Sequence, residues 1–182
     1  MSGTIKALTE AVRGRVITPS DSDYDDARAV YNGMHDRRPG AVIQCMDSAD
    51  VMAAVAAGRD GGFDLAIRGG GHSVPGFGTL DGGLVIDLSK MNGVRVDPVK
   101  KVARVGGGAT WGDVDHATYP FGLAAPGGII STTGVGGLTL GGGIGYLTRG
   151  VGLSIDNLLS ADVILADGRQ VKASDYQNEE LF

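Results

Sequence analysis

Leu65-Ala66-Ile67-Arg68-Gly69-Gly70-Gly71-His72-Ser73 is a short apolar run that ends in a glycine triplet and a histidine. The apolar part reads as a buried strand. Glycines placed directly after a strand let successive backbone amides turn toward one point, which makes an anion-binding nest. His72 then stands at the lip of a phosphate-sized cradle.

Upstream, Ala41-Val42-Ile43-Gln44-Cys45-Met46 reads as another strand, with Asp47 or Ser48 as the N-cap of a following helix. The helix presents Val51, Met52, Val55 and Ala56 on one face and stops at Arg59-Asp60-Gly61-Gly62. With Leu65-Ala66-Ile67 next, the order is β-α-β. Downstream, the loop from Gly76 to Gly83 leads to a third strand, Leu84-Val85-Ile86-Asp87-Leu88. Val94-Arg95-Val96 and Val102-Ala103-Arg104-Val105 alternate on either side of Asp97-Pro98 and read as a hairpin. Thr110 and Asp113 have the spacing of a capping box, which starts a helix running to about Tyr119, before Pro120. Near the end of the sequence, Ala161 to Ala166 and Arg169 to Lys172 flank Asp167-Gly168, a strong hairpin signal. The early part is thus parallel α/β and the later part mainly antiparallel.

The 182 residues suffice for one ordinary domain or two small lobes. A formal charge of −5 gives no electrostatic reason to expect nucleic acid or an anionic membrane as partner. Cys45 is the single cysteine, so an intramolecular disulfide is excluded, a Cys/His zinc site lacks ligands, and a reducing cytoplasm fits. Residues 1–15 carry no continuous apolar segment of the secretory kind. Residues 117–148 hold no charged side chain, a length that exceeds a membrane span, but ten of those 32 positions are glycine and Pro120 and Pro126 interrupt them. That is a poor apolar helix, and a span is not expected. The chain has 32 glycines, where average usage would give about 13. With no Gly-X-Y period and little proline, the excess points to close approach of backbone to a ligand or to another strand.

The glycine clusters invite a nucleotide-phosphate reading, yet none satisfies G-x-G-x-x-G and no G-K-[ST] follows one, so nicotinamide binding of the doubly wound kind and P-loop hydrolysis are disfavoured. A hydrolase elbow also fails at Ser73, because Val74 is followed by Pro75 where glycine is needed. What remains is a pair of glycine-rich loops, 69–71 and 134–145, the second with seven glycines among twelve residues. A planar ring system with a diphosphate tail would use one loop for charge and the other for shape. Tight turns and strand crossings are the alternative use of the same glycines.

Taken together, Arg68-Gly69-Gly70-Gly71-His72-Ser73, Gly106-Gly107-Gly108-Ala109-Thr110-Trp111-Gly112-Asp113-Val114, and Pro126-Gly127-Gly128 through Thr132-Thr133-Gly134-Val135-Gly136-Gly137 to Gly142-Gly143-Ile144-Gly145-Tyr146 resemble a known family. It is the FAD-binding domain of the berberine-bridge-enzyme-like FAD-linked oxidases, within the vanillyl-alcohol-oxidase (PCMH-type) superfamily. The similarity runs from about Arg38 to the end of the sequence, and several ordered motifs carry it.

The resemblance implies an α+β, two-lobed PCMH-type FAD-binding domain: a small parallel β-α-β lobe over about 38–100 and a mainly antiparallel lobe with helices over about 101–182, with residues 1–37 as an N-terminal extension and lead-in helix. FAD is expected between the lobes. His72 matches the histidine bonded to the 8α carbon of FAD, and Gly69, Gly70, Gly71 and Ser73 match the loop that holds the pyrophosphate. Thr132, Gly134, Gly136, Gly137, Gly142 and Tyr146 match the wall along the flavin, and Val163 a backbone contact to adenine. A neutral imidazole is a competent nucleophile toward an electrophilic flavin, which supports the first assignment. Arg68 steadies a phosphate or pairs with a carboxylate, and both readings stay open. Members attached twice carry a cysteine where this chain has Ile130, so a single attachment is expected. His35 and His116 lack comparable context, and Trp111 reads as a core anchor.

Relatives continue into a substrate domain where this sequence stops, so no catalytic base is assigned. The implied activity is oxidation of a small organic substrate, an alcohol, sugar or amine-bearing ring, by hydride transfer to the flavin with oxygen as acceptor. Two rivals are a flavin-binding module without turnover of its own and a noncovalent NAD(P)H-dependent flavin reductase. A third, a glycine-rich structural domain, would purify colourless.

Overall fold

The computed structural model describes residues 2–182. Its class is α+β, with one mixed four-stranded sheet and two separate antiparallel pairs. The chain divides into two compact units. One holds the chain up to Arg68 with Ser73–Asp87 and Leu159–Phe182, and the other holds Gly69–His72 with Leu88–Leu158.

The first unit is built on strands β1 (Arg15–Ile17), β2 (Ala41–Gln44), β3 (Leu65–Arg68) and β4 (Leu84–Asp87), in the spatial order β1-β2-β4-β3. β2 and β3 both run parallel to β4, and β1 pairs antiparallel with β2. Ala41, Val42, Ile43, Leu84, Val85 and Ile86 are fully buried, as continuous apolar strands covered on both faces should be. Val42, Ala66 and Val85 pack on one face with Ile17 and Tyr24, the latter from helix α2 (Tyr24–Arg28). The Tyr24 hydroxyl donates to the Pro39 carbonyl at 2.6 Å, which satisfies its polar end inside that core. Helix α3 (Ser48–Gly61) packs against β4 and against helix α1 (Ser2–Ala11). Asp47 caps α3 by accepting from the Ala49 and Asp50 amides, and Gly62 ends it in the left-handed conformation at φ 66°.

Asp50 ties the beginning of this unit down. Its buried carboxylate accepts from the backbone amides of Arg13 at 2.8 Å, Gly14 at 3.0 Å and Met46 at 2.9 Å. One side chain of α3 thereby fixes the segment that leads into β1. The closing hairpin, β7 (Ala161–Ile164) and β8 (Gln170–Ala173), turns at Gly168 with φ 87°. It lies with this unit, where the Asp167 carbonyl accepts from Arg59 of α3 at 2.8 Å, although the sequence grouped it with the later lobe.

In the second unit β5 (Val94–Asp97) and β6 (Val102–Val105) form the expected hairpin. Helix α4 (Trp111–Thr118) begins with the full capping box: Thr110 accepts from Asp113 N–H, and the Asp113 carboxylate accepts from Thr110 N–H. Trp111 and Val114 are buried, so the tryptophan is an anchor of this unit. Short helices α5 (Val135–Leu140) and α6 (Thr148–Val151) follow.

The structure departs from the sequence reading in four places. Ile67, in a strand read as buried, is 53% exposed, because β3 lies at the end of the strand order, whereas β4, buried at all four positions, takes the central slot between β2 and β3. Met52 of α3 is exposed, and the buried face is Asp50, Val51, Ala54, Val55 and Gly58. The first 37 residues hold β1 and α2 besides the lead-in helix. Part of the second glycine-rich loop is the helix α5.

Two outcomes follow from burial. Asp50→Ala strands three amides and should cost about 2–4 kcal/mol, read as a fall in the urea midpoint at unchanged slope. Burial, with the nearby carboxylates of Asp50 and Asp87, pushes the Cys45 thiol up to about 12. At pH 8 the folded protein should therefore leave Cys45 unreacted with an alkylating reagent that needs the thiolate, and unfolding should release one reactive thiol.

Candidate functional site

β3 delivers the glycine triplet. Its last residue, Arg68, is buried, and its guanidinium is committed to protein oxygens: Asp87 on the neighbouring strand at 3.3 Å, the Ala27 carbonyl at 2.6 Å and the Ala29 carbonyl at 3.3 Å. Of the two roles left open for Arg68, the structure displays carboxylate pairing. Arg68 and Asp87 are register partners, so the pair pins the ends of β3 and β4 together just before the glycines.

Beyond Arg68 the chain enters the second unit. Among the described residues, the amides of Gly69, Gly70 and Gly71 donate to no protein acceptor, and Gly71 is left-handed at φ 70°. Consecutive amides without acceptors, in a segment that turns through the left-handed region, have the make-up of an anion nest. The segment is pressed against the start of the second glycine stretch. A Cβ on Gly70 would fall 2.3 Å from the Gly134 nitrogen, and one on Gly134 would fall 2.3 Å from the Gly70 nitrogen. Gly69 and Gly136 both look onto the Gly107 carbonyl, at 3.3 and 3.4 Å from where their Cβ atoms would be. The three glycine-rich segments named from the sequence therefore meet within this unit.

His72 follows the nest, and threonine hydroxyls meet both of its ring nitrogens. Thr132 Oγ1 lies 3.0 Å from Nε2 and Thr133 Oγ1 lies 3.5 Å from Nδ1. The threonines sit on a turn, closed by Thr133 N–H donating to the Ile130 carbonyl at 3.1 Å, that is bonded to the start of α4. Trp111 N–H donates to the Thr133 carbonyl at 3.0 Å, Gly112 N–H to Ser131 at 2.8 Å, and Val135 N–H to Ala109 at 2.9 Å. The capped helix thus fixes the segment that holds the imidazole.

The remaining residues separate by unit. Gly142 has φ 100°, and its carbonyl accepts from Ile155 N–H at 3.0 Å, which ties the tip of the second stretch to the later segment at Ser154 and Ile155. Tyr146 is 82% exposed, and Leu140, Ile144 and Ile129 of the same uncharged stretch are exposed with it. Ser73 and Val163 belong to the first unit: the Ser73 hydroxyl accepts from Phe77 N–H, and Val163 pairs with Val171 across the closing hairpin. His116 is exposed on α4.

Two residues escaped the sequence reading. Thr133 belongs beside Thr132, and its adjacency was the available signal. His35 places Nε2 2.8 Å from the Val74 carbonyl, with its ring where a Gly76 Cβ would stand, so it holds the loop that follows Ser73. No local pattern links residues 35 and 74. Among the described residues no helix is long and apolar enough to cross a membrane, and no cluster of His, Cys, Asp or Glu could hold a metal ion.

Residues 39–174 match the family model of the FAD binding domain. The chain is 39% identical over 172 residues to (R)-6-hydroxynicotine oxidase of Paenarthrobacter nicotinovorans, covering 94% of this chain and 38% of that protein. The crystal structure of 6-hydroxy-D-nicotine oxidase from Arthrobacter nicotinovorans superposes with a TM-score of 0.92 at 39% identity over 93% of this chain and 38% of that one. Glucooligosaccharide oxidase from Acremonium strictum, described with a 6-S-cysteinyl, 8α-N1-histidyl FAD, superposes at 0.90 with 34% identity, over 98% of this chain and 38% of that chain. The chain thus spans under two fifths of the length of these relatives.

The backbone contact predicts a contrast between two glycines. Gly70→Ala drives a methyl into the Gly134 backbone and should lower stability by at least about 2 kcal/mol. A Cβ at Gly137, in α5, meets nothing within 4 Å. Gly137→Ala should leave stability unchanged or raise it by about 0.5–1 kcal/mol, both variants being read by urea unfolding.

Proposed function

The chain belongs to the family of FAD-linked oxidoreductases, as an FAD binding domain, and from that premise we propose that it binds FAD through one covalent bond to His72 and serves the oxidation of a small organic substrate. The observation that carries the reading is the run of acceptor-free amides at Gly69–Gly71 leading directly into an imidazole held by two hydroxyls. Such amides suit a diphosphate, which needs N–H donors and tolerates the absence of a cation in the uncharged 117–148 stretch.

In this reading Gly69, Gly70 and Gly71 bind the pyrophosphate, and His72 supplies the nitrogen bonded to the 8α carbon. Thr132, Gly134, Gly136 and Gly137 form the wall beside the flavin, with Gly142 and Tyr146 further along it. Ser73 and Val163 take the parts the resemblance gives them. Ile130 offers no thiol, and Cys45 is buried in the first unit, which supports a single attachment. FAD supplies hydride acceptance from the substrate and passes the electrons to oxygen, while the protein holds the ring and limits access to it.

The named relatives act on hydroxynicotine and on glucooligosaccharides, and alcohols, sugars and amine-bearing rings are the substrate classes we carry over. The groups that bind substrate and move its proton belong to the additional length of the relatives. A cytoplasmic setting is part of the same proposal, since the one cysteine is buried and makes no disulfide.

The test is an acid-denatured gel of protein loaded with FAD. Flavin fluorescence should travel with the wild-type band and be absent from His72→Ala. A yellow supernatant over a dark wild-type band would replace covalent attachment with dissociable binding.

A further inference from the structure

We propose that Asn32-Gly33 is a self-modification site: the Gly33 nitrogen closes on the Asn32 side-chain carbonyl, ammonia leaves, and water opens the resulting succinimide to aspartate and isoaspartate, which releases the loop that follows Ser73. The site lies wholly in the first unit and is independent of the flavin reading.

An asparagine followed by glycine can react with its own backbone, because no side chain shields the next nitrogen. The sequence holds two such pairs, Asn32-Gly33 and Asn92-Gly93, and the structure prepares them differently. Asn32 lies in an exposed turn, closed by His35 N–H donating to the Asn32 carbonyl at 3.0 Å. Its side-chain Oδ1 accepts from Met34 N–H at 3.1 Å, and its Nδ2 donates to the Val74 carbonyl at 3.4 Å. Both partners are backbone groups with a single role, donor in one case and acceptor in the other, so the orientation of the amide is fixed. The ring that the Met34 bond closes runs through Cγ, Cβ, Cα and the carbonyl carbon of Asn32 and the Gly33 nitrogen, which are the atoms of the succinimide. The same Met34 N–H faces the oxygen on which negative charge develops during attack.

Among the described residues Gly33 N–H donates to no protein acceptor, and nothing stands within 4 Å of where a Gly33 Cβ would be. At Asn92, among the same residues, the side chain makes no hydrogen bond. The Gly93 carbonyl is tied to Gly106 N–H at 2.9 Å, at the foot of the β5–β6 hairpin. Asp81-Gly82 and Asp167-Gly168 could close the same ring, but their glycine amides are already bonded, to the Arg38 and Leu165 carbonyls at 2.9 Å.

In the closing step the Gly33 nitrogen gives its proton to hydroxide and bonds to Asn32 Cγ. The Cγ–Nδ2 bond breaks, and Nδ2 takes a proton from water and leaves as ammonia, which restores the hydroxide. Water then adds to either imide carbonyl. Opening at Cγ leaves aspartate, and opening at the main-chain carbonyl leaves isoaspartate, whose backbone runs through Cβ and Cγ. Water is consumed, ammonia is released, and nothing is oxidised or reduced. Either product sets a carboxylate oxygen where Nδ2 donated to the Val74 carbonyl, an acceptor against an acceptor. In isoaspartate the carbonyl that closed the turn on His35 also leaves the main chain. The His35 ring, which meets the Val74 carbonyl at 2.8 Å, then loses its placement.

The test ages the full chain in buffer at pH 8 and maps both asparagines by mass spectrometry of peptides. In the folded protein Asn32 should convert roughly tenfold faster than Asn92, the scale of one hydrogen bond in the barrier. In the same chain unfolded in urea the two should convert alike. Gly33→Ala keeps an ordinary φ and puts its methyl in open space, so it should fold as wild type and slow conversion roughly tenfold by crowding the attacking nitrogen. Chymotrypsin should cut after the exposed Phe77 faster in aged than in fresh wild type, and equally in aged and fresh Gly33→Ala. Equal rates at Asn32 and Asn92 in the folded chain, or the same ratio folded and unfolded, would overturn the site. Conversion that leaves the Phe77 cut unchanged would overturn the release of the loop.

Discussion

Gly70 and Gly134 stand back to back, each where the other's Cβ would have to be, 2.3 Å from a backbone nitrogen. Two main chains can approach this closely only where neither carries a side chain. The contact brings the segment that ends in His72 onto the segment that carries Thr132 and Thr133, and every distance at the imidazole depends on it. The same logic applies behind the site, where a Cβ on Gly108 would fall 1.6 Å from the Leu88 carbonyl. Glycine is abundant here in part because chain lies directly on chain, and the same bare backbone leaves the Gly69–Gly71 amides open to an anion.

The strand that feeds this contact is fixed by a buried ion pair, Arg68 with Asp87. Such a pair is a weak source of net stability, since both charges leave water, but breaking it is costly because one charge is then left alone. Here Arg68 also satisfies two carbonyls at the end of α2, those of Ala27 and Ala29. The pair therefore acts through geometry: it sets where β3 stops and where the glycines begin. Asp50 does the same for the start of the chain with three amides.

Features with strong local chemistry were legible in the sequence. The apolar runs of β2, β3 and β4, the Thr110/Asp113 box and the Asp167-Gly168 turn each carry their signal within a few residues, and each formed the strand, cap or turn that was read, although Ile67 of β3 is exposed and not buried. What could not be read depends on partners distant in the chain. β1 has three residues, too few for a pattern, and exists because β2 offers an open edge. The insertion of β4 between β2 and β3 is a choice of topology that leaves local periodicity unchanged. α5 contains two glycines and has poor intrinsic propensity. It is held from outside, with the Ala109 carbonyl accepting the Val135 amide that opens it. In the candidate site, the nest and His72 were visible because they are contiguous. The hydroxyls that hold the ring lie 60 and 61 residues away, and only the fold brings them together.

That the partners of His72 include hydroxyls bears on what the ring can do. A carboxylate beside an imidazole favours its protonated form, which has no lone pair and cannot act as a nucleophile. A hydroxyl fixes ring orientation without adding charge, and it serves an N–H on one side and a lone pair on the other. The surroundings agree with that choice, for residues 117–148 contribute no charged side chain to this unit. There the Gly69–Gly71 amides offer an anion donors from the backbone itself, and two neutral hydroxyls, those of Thr132 and Thr133, stand at the His72 ring, so the chemistry of this segment rests on dipoles of the main chain and on short polar side chains.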